Sequence, residues 1–171
     1  YLPANYKELL TELEKRSLRV CAGTACYAFD QISKLDTIRD ELDLLCKLLV
    51  QVNAKYLVTM DESDVGRFGE KKSDLTFSQS KKSFQIIREM AEFTHQEHGI
   101  KTVFHPHIKS LYEYENEIQS LMEPTGIDLC FDTGHHTYSN GSPAIRNRSA
   151  LDFLLKYPER IAYIHFKNVD K

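Results

Sequence analysis

No apolar run in this sequence approaches the roughly 20 residues of a membrane-spanning helix, so a membrane is not an expected partner. There is no basic excess either. Lys and Arg total 22 against 25 Asp and Glu, a formal net charge of −3, and duplex nucleic acid normally demands a positive field. None of the 4 cysteines forms a C-x-x-C pair, which argues against a metal knot or a dithiol redox motif. No strand-like segment is followed by a G-x-G-x-x-G or Walker-type loop, so nucleotide-binding versions of an open sheet lose support. Linkers, low-complexity stretches and short-period repeats are also missing. Tyr1 to Asn5 is neutral and runs into no apolar h-region, unlike a secretory signal. A cytoplasmic location with reduced, structural cysteines is therefore expected. The missing initiator Met implies that the chain begins partway through something larger.

What is present is an ordinary globular mixture, 42% hydrophobic and 27% charged over 171 residues, enough for one domain with a core. Two kinds of segment alternate. Asn5 to Leu18 has helical spacing, and Leu18 to Gly23 reads as a short strand. Asp36 to Val52 is an amphipathic helix with Ile38, Leu42, Leu45 and Leu49 on one stripe and Asp36 as its expected cap. Tyr56 to Met60 is a strand followed by acidic and glycine residues, with Asp61, Glu62 and Asp64 expected in a solvated loop. Thr76 to His98 is a long helix ending at Gly99. Lys101 to His105 is a strand, and Glu115 to Met122 a helix stopped by Pro124 and Gly126. Ile127 to Asp132 is a strand with a turn expected at Gly134. Ser142 to Tyr157 is a helix with Pro143 in its first turn, and Ile161 to His165 is the fifth strand. Apolar strands separated by helices predict a parallel α/β sheet, either a (β/α) barrel or an open doubly wound sheet.

The 7 histidines are unevenly spread. His95 and His98 fall at a helix end, where solvent exposure is expected. The other five, His105, His107, His135, His136 and His165, lie at or just beyond the C-terminal ends of predicted strands. In parallel α/β folds that end faces the catalytic mouth. Three clusters result: His105-Pro106-His107, Asp132-Thr133-Gly134-His135-His136, and His165-Phe166-Lys167. Imidazole and carboxylate donors from neighbouring strands suit Zn²⁺, Mn²⁺, Co²⁺ or Fe²⁺ better than Ca²⁺ or Mg²⁺. Strand alternation puts His165 and Lys167 on one side, where a cation can neutralise an anionic substrate oxygen. His136 is expected to point away from His135, and Tyr138, Asn140 and Gly141 to form a turn after the site.

In order along the chain stand Phe104-His-Pro-His107, Glu113, Glu117-Ile118, Phe131-Asp-Thr-Gly-His135, Arg160-Ile and His165-Phe-Lys167. This pattern resembles the xylose-isomerase-like TIM-barrel superfamily of sugar isomerases and epimerases, which includes endonuclease IV. It is nearest to the inosose dehydratase branch. The resemblance is strongest from Lys101 to Asp170. It implies that Asp132 and His165 are metal ligands and that His105 stands where many members carry a metal-binding glutamate. It makes His107, His135 and Lys167 substrate-contacting residues, and His105 or His107 the proton-moving base, with Lys167 beside them as a catalytic cation. Asn168 stands where the family usually has an acid.

The fold so implied is a (β/α)₈ TIM barrel, about 250 residues when complete. The five strands here would be the third to the seventh. A single domain over 1–171, incomplete at both ends, is expected, without the glutamate-bearing eighth strand. The expected activity is that of a divalent-metal-dependent isomerase, epimerase or inosose dehydratase. It would act through an enediolate on a small-molecule sugar, ketose or inosose, in a chain that can form a homo-oligomer. Two alternatives are an endonuclease IV-like phosphodiesterase and an inactive barrel remnant that only binds.

Overall fold

In the computed structural model, residues 6–63, 77–140 and 148–169 are described. Helix α1 (Tyr6–Lys15) leads into β1 (Ala22–Tyr27), α2 (Arg39–Gln51), β2 (Tyr56–Asp61), α3 (Phe77–His98) and β3 (Lys101–Phe104). Then come α4 (Glu115–Thr125), β4 (Asp128–Asp132), α5 (Thr133–Asn140), α6 (Ser149–Lys156) and β5 (Ile161–His165). The strands form one sheet in the order β1-β2-β3-β4-β5, with every neighbouring pair parallel. Because that order never reverses, there is no switch point of the doubly wound kind among the described residues. The sheet is wound as a barrel wall.

Curvature confirms the winding. In a flat sheet β2 and β5 would lie about three spacings, roughly 14 Å, apart. Yet Tyr56 of β2 and Tyr163 of β5 bring their ring centroids to 5.4 Å. The Tyr163 hydroxyl also reaches Cys21 Sγ, just before β1, at 2.8 Å. The concave face holds Val58, Val103 and Cys130, packed with Tyr56 and Tyr163. Alternate residues such as Leu57, Phe104, Leu129 and Phe131 face the helices. There they join Leu42 and Cys46 of α2, Ile87 of α3, Leu121 of α4 and Phe153 of α6 in the larger core.

Several local expectations are corrected. The first strand lies four residues later than Leu18, which is 57% exposed. A short 3₁₀ turn, Leu35–Thr37, precedes α2, so Ile38 rather than Asp36 occupies the cap position; Asp36 accepts a hydrogen bond from exposed Arg39 Nε at 3.0 Å. His98 is not solvated, for it packs edge-on against Phe93 and lies 3.2 Å from Asp43. Gly99 ends α3 with φ +66°, and its N–H donates to His95 O, the bond of a simple left-handed helix cap, while Ile100 N–H donates to Thr94 O. Helix α4 runs past Pro124 to Thr125 before Gly126 stops it. Residues Thr133 to Asn140 are helical rather than turns. The expected start of the next helix at Ser142 and Pro143, Gly141 and Asp64 lie outside the described residues. All four cysteines are free, Cys46 and Cys130 buried, but Cys21 is exposed. No helix among the described residues is long and apolar enough to cross a membrane.

Candidate active site

Parallel strands bring their C-terminal ends to one rim. That rim carries Asp61 at the end of β2, His105 just past β3, Asp132 at the end of β4 and His165 at the end of β5. Asp132 and His165 are direct cross-strand partners. His105 continues the ladder by one residue, its N–H donating to Thr59 O at 2.7 Å.

Helix α5 follows β4 without a loop, and Asp132 makes this possible. Its Oδ1 accepts the His135 N–H at 2.9 Å, satisfying a first-turn amide as a cap does. Across the junction, Thr133 Oγ1 donates to Lys167 O and accepts from Lys167 N–H, both at 2.9 Å. The two chains run so close that a β-carbon on Gly134 would sit 2.8 Å from Lys167 Cβ. Glycine is there for close approach rather than for the turn expected from sequence.

The rim collects His105, His107, Asp132, His135, His165 and Lys167. His105 has its ring 4.8 Å from His165, 5.1 Å from His135 and 5.7 Å from His107 by centroids. His107 and His135 are 4.4 Å apart. Asp132 Oδ2 lies 2.8 Å from Lys167 Nζ, 3.6 Å from His135 Nδ1 and 3.7 Å from His165 Nδ1. Lys167 Nζ is also 3.3 Å from His135 Nε2. His105 and Asp132 are buried, whereas the side chains of His165 and Lys167 are 39% and 49% exposed. The cluster therefore has a closed floor and an open mouth.

Electrostatics follow from that burial. His105 is pushed down to about 4, chiefly by desolvation, so the ring is neutral near pH 7. Its Nδ1 lies 3.1 Å from Cys130 O. A carbonyl only accepts, so Nδ1 carries the proton and Nε2 keeps a free lone pair. Burial on its own would raise Asp132, but hydrogen bonds from Lys167 and the His135 amide, with their charges, hold its carboxyl below the usual range. His135 is lowered by burial, and further by Lys167 and His107, against the pull of Asp132.

Tests of fit for a metal ion rest on the donors. His135 Nδ1 is buried without a hydrogen bond, and the buried Asp132 Oδ2 has the Lys167 ammonium at 2.8 Å. Among the described residues, two sets of donor atoms lie within 4.8 Å of one another: His105, Cys130 and His165, and His105, His107 and His135. Imidazole with a carboxylate or thiolate close by suits a borderline divalent ion. The residues fit such a group.

One sequence reading changes and one is extended. Asp61 is not in a solvated loop; it is buried, with burial raising its carboxyl. It accepts hydrogen bonds from Phe29 N–H at 3.2 Å, Ser63 Oγ at 2.6 Å and Leu111 N–H at 2.9 Å, tying the loops after β1 and β3 to the end of β2. Glu62 is exposed. Cys130 is free and buried as expected, and its sulfur lies within 4.8 Å of a ring nitrogen of His105 and of His165; the two-residue offset from Asp132 on one strand was the available signal. His136 does turn away from the cluster, its ring 5.2 Å from Phe131 and 4.8 Å from Phe153.

No protein-family model matches the chain. In sequence it is 27% identical over 166 residues to inosose dehydratase of Bacillus licheniformis, covering 92% of this chain and 52% of that protein. It is also 27% identical over 172 residues to inosose dehydratase of Halalkalibacterium halodurans, covering 95% and 54%. The chain thus spans about half the length of the curated relatives it matches. Among solved structures, a probable 3-DHS dehydratase, AsbF, from Bacillus anthracis superposes with TM-score 0.74 at 15% identity, covering 97% of this chain and 56% of that one. The IolI protein, solved with a zinc atom, gives 0.71 at 12% identity over 98% and 58%. A xylose isomerase domain containing protein from Salmonella typhimurium gives 0.65 at 18% identity over 98% and 56%. The resemblance noted in the sequence holds: the chain is similar to inosose dehydratases, and its fold is that of xylose-isomerase-like TIM barrels.

Proposed function

We propose that this chain forms the active-site wall of a divalent-metal-dependent enzyme acting on a sugar, ketose or inosose through an enediolate. The chemistry is isomerisation, epimerisation or dehydration of the inosose type. The observation that carries this reading is the convergence of His105, His107, Asp132, His135, His165 and Lys167 at one strand-end rim. Similarity to inosose dehydratases supports the substrate class, and the zinc in IolI supports a metal of this kind.

His105, Asp132 and His165 are the ligands in this reading. Bound there, a divalent ion would supply Lewis acidity to adjacent carbonyl and hydroxyl oxygens of the substrate. The chain's own residues handle the proton. In this reading His107, whose ring is 4.4 Å from that of His135, takes a proton from the carbon next to the carbonyl, with His105 Nε2 as the alternative base. The Lys167 ammonium, shared between Asp132 and His135, is the cation for the enediolate oxygen. Returning the proton to the neighbouring carbon isomerises the sugar. Returning it to the opposite face epimerises it. Donating it instead to a departing hydroxyl releases water and leaves a double bond.

The test is solvent deuterium exchange at substrate carbon, with the full-length protein loaded with Mn²⁺ or Co²⁺. Asp132→Asn combined with His165→Ala is expected to lower exchange by about 10²-fold or more, and undiminished exchange would overturn the assignment. Cleavage of abasic-site duplex under the same metals would instead favour a phosphodiesterase. The net charge of −3 speaks against that outcome.

A further inference from the structure

We propose that Cys130 is itself a metal ligand, supplying a thiolate from the floor of the site so that the chain takes a soft or borderline divalent ion through His105, Cys130 and His165. The proposal rests on the reading of His105 and His165 as metal-binding residues and adds a donor which neither the sequence motif nor the similarity to known proteins supplies.

Position carries the argument. Cys130 is on β4, two residues before Asp132, so both side chains project from the same face of the strand. That face is the concave one, where Cys130 packs with Val58 and Val103 rather than with the helices. Its Sγ and one ring nitrogen each of His105 and His165 lie within 4.8 Å of one another. A tetrahedral zinc ion, with bonds of about 2.3 Å to sulfur and about 2.1 Å to nitrogen, holds its donors roughly 3.5 Å apart. The three donors need to close by about 1 Å, within the reach of side-chain torsions and without strand movement.

The surroundings favour the same ion. Cys130 presents its own carbonyl to His105 Nδ1 at 3.1 Å, which fixes the tautomer and leaves Nε2 for the metal, as an outer-shell partner does in known sites. Around the sulfur the floor is lined by Val58 and Val103, with Ala162 packed against them. Sulfur adds to the donors named above: Asp132 meets Lys167 and the first turn of α5 at the rim, two residues along the strand from Cys130. His165, 39% exposed, leaves an entry path from the mouth. The incoming ion displaces a proton: thiol and M²⁺ give a metal thiolate and one H⁺ released to solvent.

The test is a Co²⁺ titration of the whole chain followed by absorption. A sulfur-to-cobalt charge-transfer band in the near ultraviolet is expected with the visible bands of tetrahedral cobalt. Cys130→Ser and Cys130→Ala should abolish the charge-transfer band, while Cys46→Ser leaves it unchanged. Zn²⁺ binding should weaken in the Cys130 variants while Mn²⁺ binding does not. Visible cobalt bands without charge transfer would overturn the proposal and leave the Asp132 and His165 assignment standing. A charge-transfer band that survives Cys130→Ser and disappears in Cys21→Ser or Cys26→Ser would overturn it as well. No cobalt bands at all would remove both readings. Should the Cys130 variants fail to fold, cadmium NMR of the unaltered chain decides: a sulfur-bound shift supports the thiolate, and a purely nitrogen and oxygen shift excludes it.

Discussion

Asp132 divides its two oxygens between structure and chemistry. Oδ1 caps α5 through the His135 amide, and Oδ2 faces Lys167, His135 and His165. The residue was legible in the sequence as a strand-end carboxylate before a glycine. A capping role was the other reading open to it there, and the structure gives it both, since α5 follows β4 without a loop. Its neighbour His136 shows what residue type alone conceals. Both of its ring nitrogens are buried without a hydrogen bond, among Phe131 and Phe153, and burial pushes it down to about 4. A histidine whose folded pKa is depressed stays neutral in the native state while the unfolded chain takes up a proton. Stability is therefore lost as pH falls from about 6.5 towards 4, by up to about 1.4 kcal/mol per pH unit for this one group. His136→Leu should leave stability at pH 7 nearly unchanged and flatten the fall between pH 6.5 and 4. Urea midpoints at pH 7 and pH 5 measure the difference; an unchanged pH slope would show that His136 does not titrate this way.

At the scale of elements, the β4–α5 junction and the start of the segment after β5 behave as one unit. Thr133 bonds both main-chain groups of Lys167, and Gly134 admits the Lys167 side chain at close range. Gly134→Ala should therefore destabilise the chain by about 1–3 kcal/mol through overpacking and also displace Lys167 from Asp132. Thermal melting reads the first effect, and an NMR titration of Asp132 reads the second as an upward shift once its cation moves away. Loss of stability without that shift would mean that the junction relaxes elsewhere. The helices were the most readable elements because their apolar stripes persist over several turns: Leu42 and Leu49 of α2 are buried as expected, while Cys46 rather than Leu45 fills the position between them. Strand β1 was less readable. Its residues Ala22, Gly23 and Thr24 carry little hydrophobic signal, and their placement depends on pairing with Tyr56, Leu57 and Val58 of β2.

For the whole molecule, the sheet's winding places every candidate residue on one rim while leaving β1 and β5 with one paired neighbour each among the described residues. The central strands are covered on both faces, with Leu57, Val103, Phe104, Leu129 and Cys130 fully buried, whereas Thr24 in β1 and Ile164 in β5 are exposed. Amide hydrogen exchange should follow that gradient, slowest in β3 and the paired amides beside it and fastest in β1 and β5. Uniform protection across the five strands would mean that the edges are covered in solution by something further.

The sequence by itself determined the alternation of strand and helix, the direction of the strands and the short list of histidines and Asp132 at their ends. Those features follow from local periodicity and from residues adjacent in the chain. Whether Asp61 was solvated or a buried brace and whether Cys130 faced the core or the histidines were decided only by tertiary structure, and periodicity alone left open the barrel wall that the resemblance implied. Each depends on how far the sheet curls and which strands it brings opposite one another. Curvature is set by packing between residues far apart in the chain, as Tyr56 against Tyr163 shows, and no local pattern encodes it.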